Sequence, residues 1–146
     1  MDDRKLSGYM GECGTIGYHN EDHRVKVRMK HPIGVAVSED NVFVSLNIDR
    51  RVLSMDKQTE VCTLRVELTV PVRYLAYEPV LNTLYIGLNN GVAFKTLDDP
   101  SKSGSIMVNA AGDGTGSFDS TGLDNAHGLI TLDPRHLMMS DLGNNR

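Results

Sequence analysis

The sequence predicts an all-β chain of antiparallel four-stranded sheets, and three observations carry that prediction. Short runs rich in β-branched and aromatic residues recur along the 146 residues, each bounded by Gly, Pro, Asn, Asp or Ser. No stretch sustains a 3.6-residue apolar period, so helix is expected to be scarce. The third observation is repetition: "HPIGVAVSEDNVFVSLNIDRR" (His31–Arg51) is said again as "NAHGLITLDPRHLMMSDLGNNR" (Asn125–Arg146).

The elements follow in order. "IGVAVS" (Ile33–Ser38) and "NVFVSL" (Asn41–Leu46) are strands across the turn "EDN"; "RVLSM" (Arg51–Met55) follows "NIDR", and "VCTLRVEL" (Val61–Leu68) follows "DKQTE". Joins this short favour an antiparallel meander. Past Pro71 a second set reads "VRYLAY" (Val72–Tyr77), "TLYIGL" (Thr83–Leu88), "GVAFKTL" (Gly91–Leu97) and "SIMVNAA" (Ser105–Ala111). A third has "GLITL" (Gly128–Leu132) and "HLMMSDL" (His136–Leu142), hinged at "DPR". Upstream, "HRVKVRMKH" alternates Arg24, Lys26, Arg28 and Lys30 with Val25, Val27 and Met29, the pattern of a strand with one wet, charged face.

Gly34 stands 94 residues before Gly128, and Pro32 stands 39 before Pro71. The shorter spacing gives a period of about 40 residues with four strands per unit, and 94 reads as two such units, the second with a long outgoing loop, which marks a β-propeller. At "HPIGVAV…VFVSLNIDRRV" and "AHGLITL…LMMSDLGNNR" the chain resembles the NHL-repeat family of propellers. That pattern runs apolar-Pro-x-Gly-apolar-Ala-apolar, a short turn, then an apolar strand ending Asp-x-x-Asn-x-Arg. The last unit matches best, with Asp141, Asn144 and Arg146; the first has Leu46 in place of the Asp but keeps Arg51, and the middle one has no Arg. The resemblance implies that the Asp and Arg are structural and pair across the blade.

Propellers close with about 4 to 8 blades, and at roughly 40 residues per blade this length provides about three. The expected layout over 1–146 is therefore a partial propeller. Residues 1–11 are an outer strand of a preceding blade, 31–69 and 70–112 are blades, and 125–146 is the first half of a further blade. The chain then reads as a fragment of a longer protein. Closing the ring requires the remaining blades of the parent chain or, alternatively, a second copy.

Composition narrows the function classes. The formal net charge is −4 and the only basic block is the alternating one above, which argues against a nucleic-acid partner. No apolar run approaches the roughly 20 residues that span a bilayer, and "MDDRKLSGYMG" has no apolar signal region. A soluble chain is expected, its compartment open. Cys13 and Cys62 form no C-x-x-C pair, and their state is not fixed by the sequence.

Candidate chemistry is sparse. "HNEDH" (His19–His23) sets two histidines four apart but has Asn20 where a zincin has Glu, so it reads as a polar loop. "DGTGSFDSTGLD" (Asp113–Asp124) spaces oxygen ligands as a calcium loop would, yet places Phe118 where the sharp turn needs Gly. Ser45 and Ser140 occupy matching repeat positions, pointing to sheet geometry rather than a nucleophile, and Tyr74, Tyr77 and Tyr85 read as packing residues with one end wet. His31 and His127 stand at the starts of inner strands two blades apart. The resemblance extends to amidating lyases, which hold zinc with inner-strand histidines of alternate blades, and three protein ligands with an open position suit catalytic zinc.

The reading favoured by the sequence is a non-enzymatic scaffold binding a protein partner through rim loops, with no cofactor. The alternative is a metal-dependent propeller enzyme, amidating-lyase-like or lactonase-like, with zinc or calcium in the central channel and His31 and His127 as ligands.

Overall fold

The alternation of apolar runs and turn residues folds into strands throughout. The computed structural model describes residues 10–11, 22–23, 26–89, 91–99, 101–106, 126–143 and 145. Among them no helix forms, and the strands are β1 (Asp22–His23), β2 (Pro32–Val37), β3 (Asn41–Leu46), β4 (Arg51–Asp56), β5 (Val61–Glu67), β6 (Leu75–Glu78), β7 (Thr83–Gly87), β8 (Val92–Thr96), β9 (Ser103–Ile106), β10 (Ala126–Asp133) and β11 (His136–Asp141). They make three sheets, ordered β1-β5-β4-β3-β2, β6-β7-β8-β9 and β10-β11, with every pairing antiparallel.

Side-chain alternation explains how the sheets stack. In β3, Val42, Val44 and Leu46 point to one face and Phe43 to the other. Both faces are covered, so the strand reads as the nearly unbroken apolar run "NVFVSL". Ala36, Phe43 and Val52 of the first sheet meet Leu75, Leu84, Ile86 and Ala93 of the second, and Phe43 stacks on Tyr77 with ring centroids 6.3 Å apart. The second sheet's other face, with Ala76, Val92, Tyr74 and Tyr85, packs on Leu129, Leu137 and Met139 of the third. The inner strands β2, β6 and β10 touch in sequence and carry these two seams.

Polar struts lock the seams. Asn47 Nδ2 donates to the Val72 carbonyl at 2.8 Å and Arg65 Nη2 to the Leu97 carbonyl at 2.6 Å. Thr131 Oγ1 donates to the Tyr77 carbonyl at 3.0 Å.

Four features depart from the sequence reading. Asp22–His23, taken as part of a polar loop, pairs with Val61 and Cys62 as a fifth strand of the first sheet. The described part of the basic block, 26–30, has no ladder partner. Its alternation survives as burial, Val27 sealed in the core while Lys26 and Arg28 face water, because it is a connector laid across the first sheet. Strand β6 begins at Leu75 rather than Val72, since Arg73 and Tyr74 bond Gly87 outside the regular ladder. Strand β9 begins at Ser103, earlier than expected. Residues 1–9, the glycine-rich loop 112–124, Cys13, Asn144 and Arg146 lie outside the described residues.

Candidate functional site

Antiparallel meanders send alternate turns to opposite rims of the stack. One rim collects the turns β2–β3, β4–β5, β6–β7, β8–β9 and β10–β11. Short polar side chains build these turns by accepting backbone N–H groups locally. Ser38 Oγ accepts from Asn41 N at 3.0 Å. Asp56 Oδ1 accepts from Gln58 N at 2.9 Å and Thr59 N at 2.7 Å. Asp99 Oδ1 accepts from Ser101 N at 3.1 Å, and Asp133 Oδ1 from Arg135 N at 2.8 Å. The buried Glu78 carboxylate receives Val80 N at 3.0 Å and Leu81 N at 2.5 Å.

The consequence is electrostatic. Glu39, Asp40, Asp56, Glu60, Glu78, Asp98, Asp99 and Asp133 sit on this rim against Lys57, Lys102 and Arg135. A groove of about 410 Å³ runs between the first two sheets here, lined by Glu39, Asp40, Tyr77, Pro79, Asn82 and Asp98 among others. Tyr77 reports the field: burial raises its phenol pKa, and the carboxylates of Glu78, Asp40, Asp98 and Glu39 push it further up. Its hydroxyl donates to Asn82 Oδ1 at 2.9 Å. A second groove, about 620 Å³, opens beside it at Leu81, Tyr85, Phe94, Asp98 and Lys102. Val80 and Leu81 stand exposed on the turn between the two.

The opposite rim holds the starts of the inner strands. His31 is exposed, at φ 50°, and its carbonyl accepts from Asn47 N at 3.1 Å. His127 is half-buried with its ring tilted onto Tyr74, centroids 5.3 Å apart, and its Nδ1 lies 3.1 Å from the Tyr74 hydroxyl. One ring nitrogen of His127 is thereby committed to a seam between sheets. Among the described residues no group of three or more His, Cys, Asp or Glu comes together as a metal site. Arg51, kept in the first unit although Leu46 replaces the motif Asp, bonds Glu67 opposite it on β5, through Nε at 3.1 Å and Nη2 at 2.8 Å. Its motif position on β3 is Leu46, fully buried, and the equivalent Asp141 on β11 is buried too.

Ser45 and Ser140 are structural, as their matching positions indicated. Each Oγ fills the bulge in the strand opposite, accepting from Gly34 N at 2.8 Å and Gly128 N at 2.6 Å. What sequence reasoning missed is the acidic rim. The signal lay in alternate turns: "SEDN", "DKQTE", "EPVLN" and "DDPSK" are acidic, while the intervening "NIDRR", "PVR" and "NNG" are not.

Antiparallel sheets stacked face to face through touching inner strands define a propeller-like all-β class. No protein-family model matches the chain, and no curated protein matches it. A solved nidogen/laminin complex, which contains a β-propeller, resembles it with a TM-score of 0.58 at 12% identity. The likeness covers 83% of this chain and 48% of that one, so the chain spans about half the neighbour's length. Among the described residues no helix is long and apolar enough to cross a membrane.

Proposed function

We propose that the chain is part of a non-enzymatic, NHL-type propeller scaffold that holds a protein partner at its acidic turn rim. In this reading the three sheets are successive blades, within 31–69, 70–112 and 125–146. The observation that carries it is the rim itself: a groove between two sheets, walled by Glu39, Asp40 and Asp98 and floored by Tyr77, with Val80 and Leu81 exposed beside it. The chemistry selects a basic segment carrying an apolar anchor. Carboxylates steer the cation in, and desolvated apolar contact on the turn provides the residence time. Pre-built turns reduce the ordering cost of binding, because Asp56, Glu78, Asp99 and Asp133 already brace the backbone of the rim. The nidogen/laminin complex is itself a protein–protein assembly, which is in keeping with this reading. A metal-dependent enzyme would need a third ligand beside His31 and His127, and the Tyr74 contact occupies one of those rings.

The test is fluorescence anisotropy with a labelled Arg/Leu-containing peptide and an acidic peptide of equal length. Binding is expected for the basic peptide only, weakening about ten-fold or more between low and 0.5 M salt as exposed charges are screened. The Asp40→Asn/Asp98→Asn double variant is expected to lose most of that affinity while keeping its thermal transition. Equal binding of both peptides, or an unaffected double variant, would rule the rim out.

A further inference from the structure

The first and third sheets each leave an apolar face open, and those faces are the unmatched halves of a seam built twice within the chain. On the inner strands, Val35, Leu75 and Leu129 are equivalent, standing opposite Val44, Ile86 and Met139. The next residues, Ala36, Ala76 and Ile130, point to the other face. Leu75 is buried with Ala36 and Phe43, and Leu129 with Ala76 and Val92. Each seam thus sets one sheet's Val35-type residue against the preceding sheet's Ala36-type residue. At the ends the pattern stops. Val35 and Val37 are 61% and 55% exposed on β2, and Ile130, Leu132 and Met138 are 53%, 58% and 54% exposed on β10 and β11.

We propose that the open face of β10 and β11 docks on β2 of a second copy of this chain, and reciprocally, so that two copies close one ring through two identical head-to-tail seams. The proposal rests on the propeller reading above. Three observations select a second copy. The bare β2 face requires a neighbour presenting what β2 and β6 present to their own followers, and β10 presents the equivalent positions. The extents also match: Met10, Val27 and Met29 cover the first sheet's outer strands on that face, leaving the inner strand bare, and the third sheet has two strands among the described residues. Neither Pro32–Val37 nor Ala126–Leu132 contains a charged residue, although charge is the usual guard on an open strand. Two copies of three sheets make six, a number inside the range of about 4 to 8 that closes, and one copy spans 48% of the solved chain it resembles. Heterologous contacts give a ring where the rotation closes.

Sedimentation equilibrium on the 146-residue chain is expected to give twice the 16.1 kDa monomer mass. Ile130→Asp and Val35→Asp, both exposed in the single chain, should each keep the β-type circular dichroism and associate at least ten-fold more weakly. An equimolar mixture of the two should regain association, because one seam between unlike variants is intact. That recovery separates head-to-tail docking from a face packing on itself, in which Val35→Asp would behave as wild type. A monomeric wild type overturns the proposal and leaves the face to a further segment of a longer chain; a ladder of higher oligomers overturns closure. Leu75→Asp, at the internal seam, tests the underlying reading separately: it should abolish the thermal transition, and a stable Leu75→Asp chain would remove the stacked-blade reading itself.

Discussion

Ser45 shows how one hydroxyl joins two sheets. Fully buried, it accepts from Gly34 N at 2.8 Å and donates to the Arg73 carbonyl across the seam. Replacing it by Ala leaves a buried donor and acceptor unpaired, which costs about 1–3 kcal/mol and should lower the urea midpoint accordingly. The three repeats share this site in different ways. Gly34 faces Ser45 and Gly128 faces Ser140, whereas in the middle sheet Gly87 N donates to the Tyr74 carbonyl just before β6. Space sets the two bulge glycines apart: a Cβ on Gly34 would lie 2.7 Å from the Arg73 carbonyl and 2.9 Å from Tyr74 Cα, both backbone. A Cβ on Gly128 would meet only the Ser140 side chain, at 3.2 Å. Gly34→Ala should therefore destabilise by about 1–3 kcal/mol through overpacking, and Gly128→Ala by much less. Equal losses in denaturant titrations would refute the bulge-and-plug account.

At the scale of elements, the turns make stability depend on acid. The Thr59 N–H, reinforced by its hydroxyl, holds the Asp56 carboxyl below its ordinary range. The Ser101 hydroxyl does so for Asp99, and His136 does so for Asp133. A carboxyl whose pKa is depressed on folding releases its proton more readily in the native state. Its stabilisation is present above the unfolded value of about 3.9 and is lost as pH falls through the lower folded value. Thermal midpoints should hold from neutral pH to about 5 and decline below about 4, with a shallower decline in Asp56→Asn, Asp99→Asn and Asp133→Asn. An unchanged acid slope in all three would show that the turns titrate as free carboxylates do. The same turns mark what the sequence made legible. Strands at Asn41–Leu46 and Thr83–Gly87 were readable because short β-branched and aromatic runs and flanking Asp and Asn are local properties. The acidic groove was not, because Asp40 and Asp98 meet only once two sheets are stacked with their turns on one side. The strand expected of the basic block failed over its described part, Lys26–Lys30, for a related reason: burial by the first sheet produces the same period as pairing in a ladder.

For the whole molecule, stacking is one-dimensional, so each sheet's stability depends on its neighbours. The second sheet is sandwiched, with Leu75, Leu84 and Ile86 against the first and Ala76 and Val92 against the third. The third sheet is covered on one face only. Amides of β7 should therefore exchange with solvent through global unfolding, and those of β10 and β11 through a smaller, local opening. Leu84→Ala, removing a fully buried side chain at the first seam, should cost about 2–5 kcal/mol and speed exchange everywhere. Met139→Ala, at the second seam, should speed exchange in β10 and β11 and leave β7 near its wild-type rate. Docking of a second copy adds a term that the single chain lacks. Protection of β10 and β11 should then rise with protein concentration and fall back in Ile130→Asp, while β7 responds less. Uniform protection across all three sheets, independent of concentration, would mean that the terminal sheet is held by its own contacts and that its apolar face is incidental.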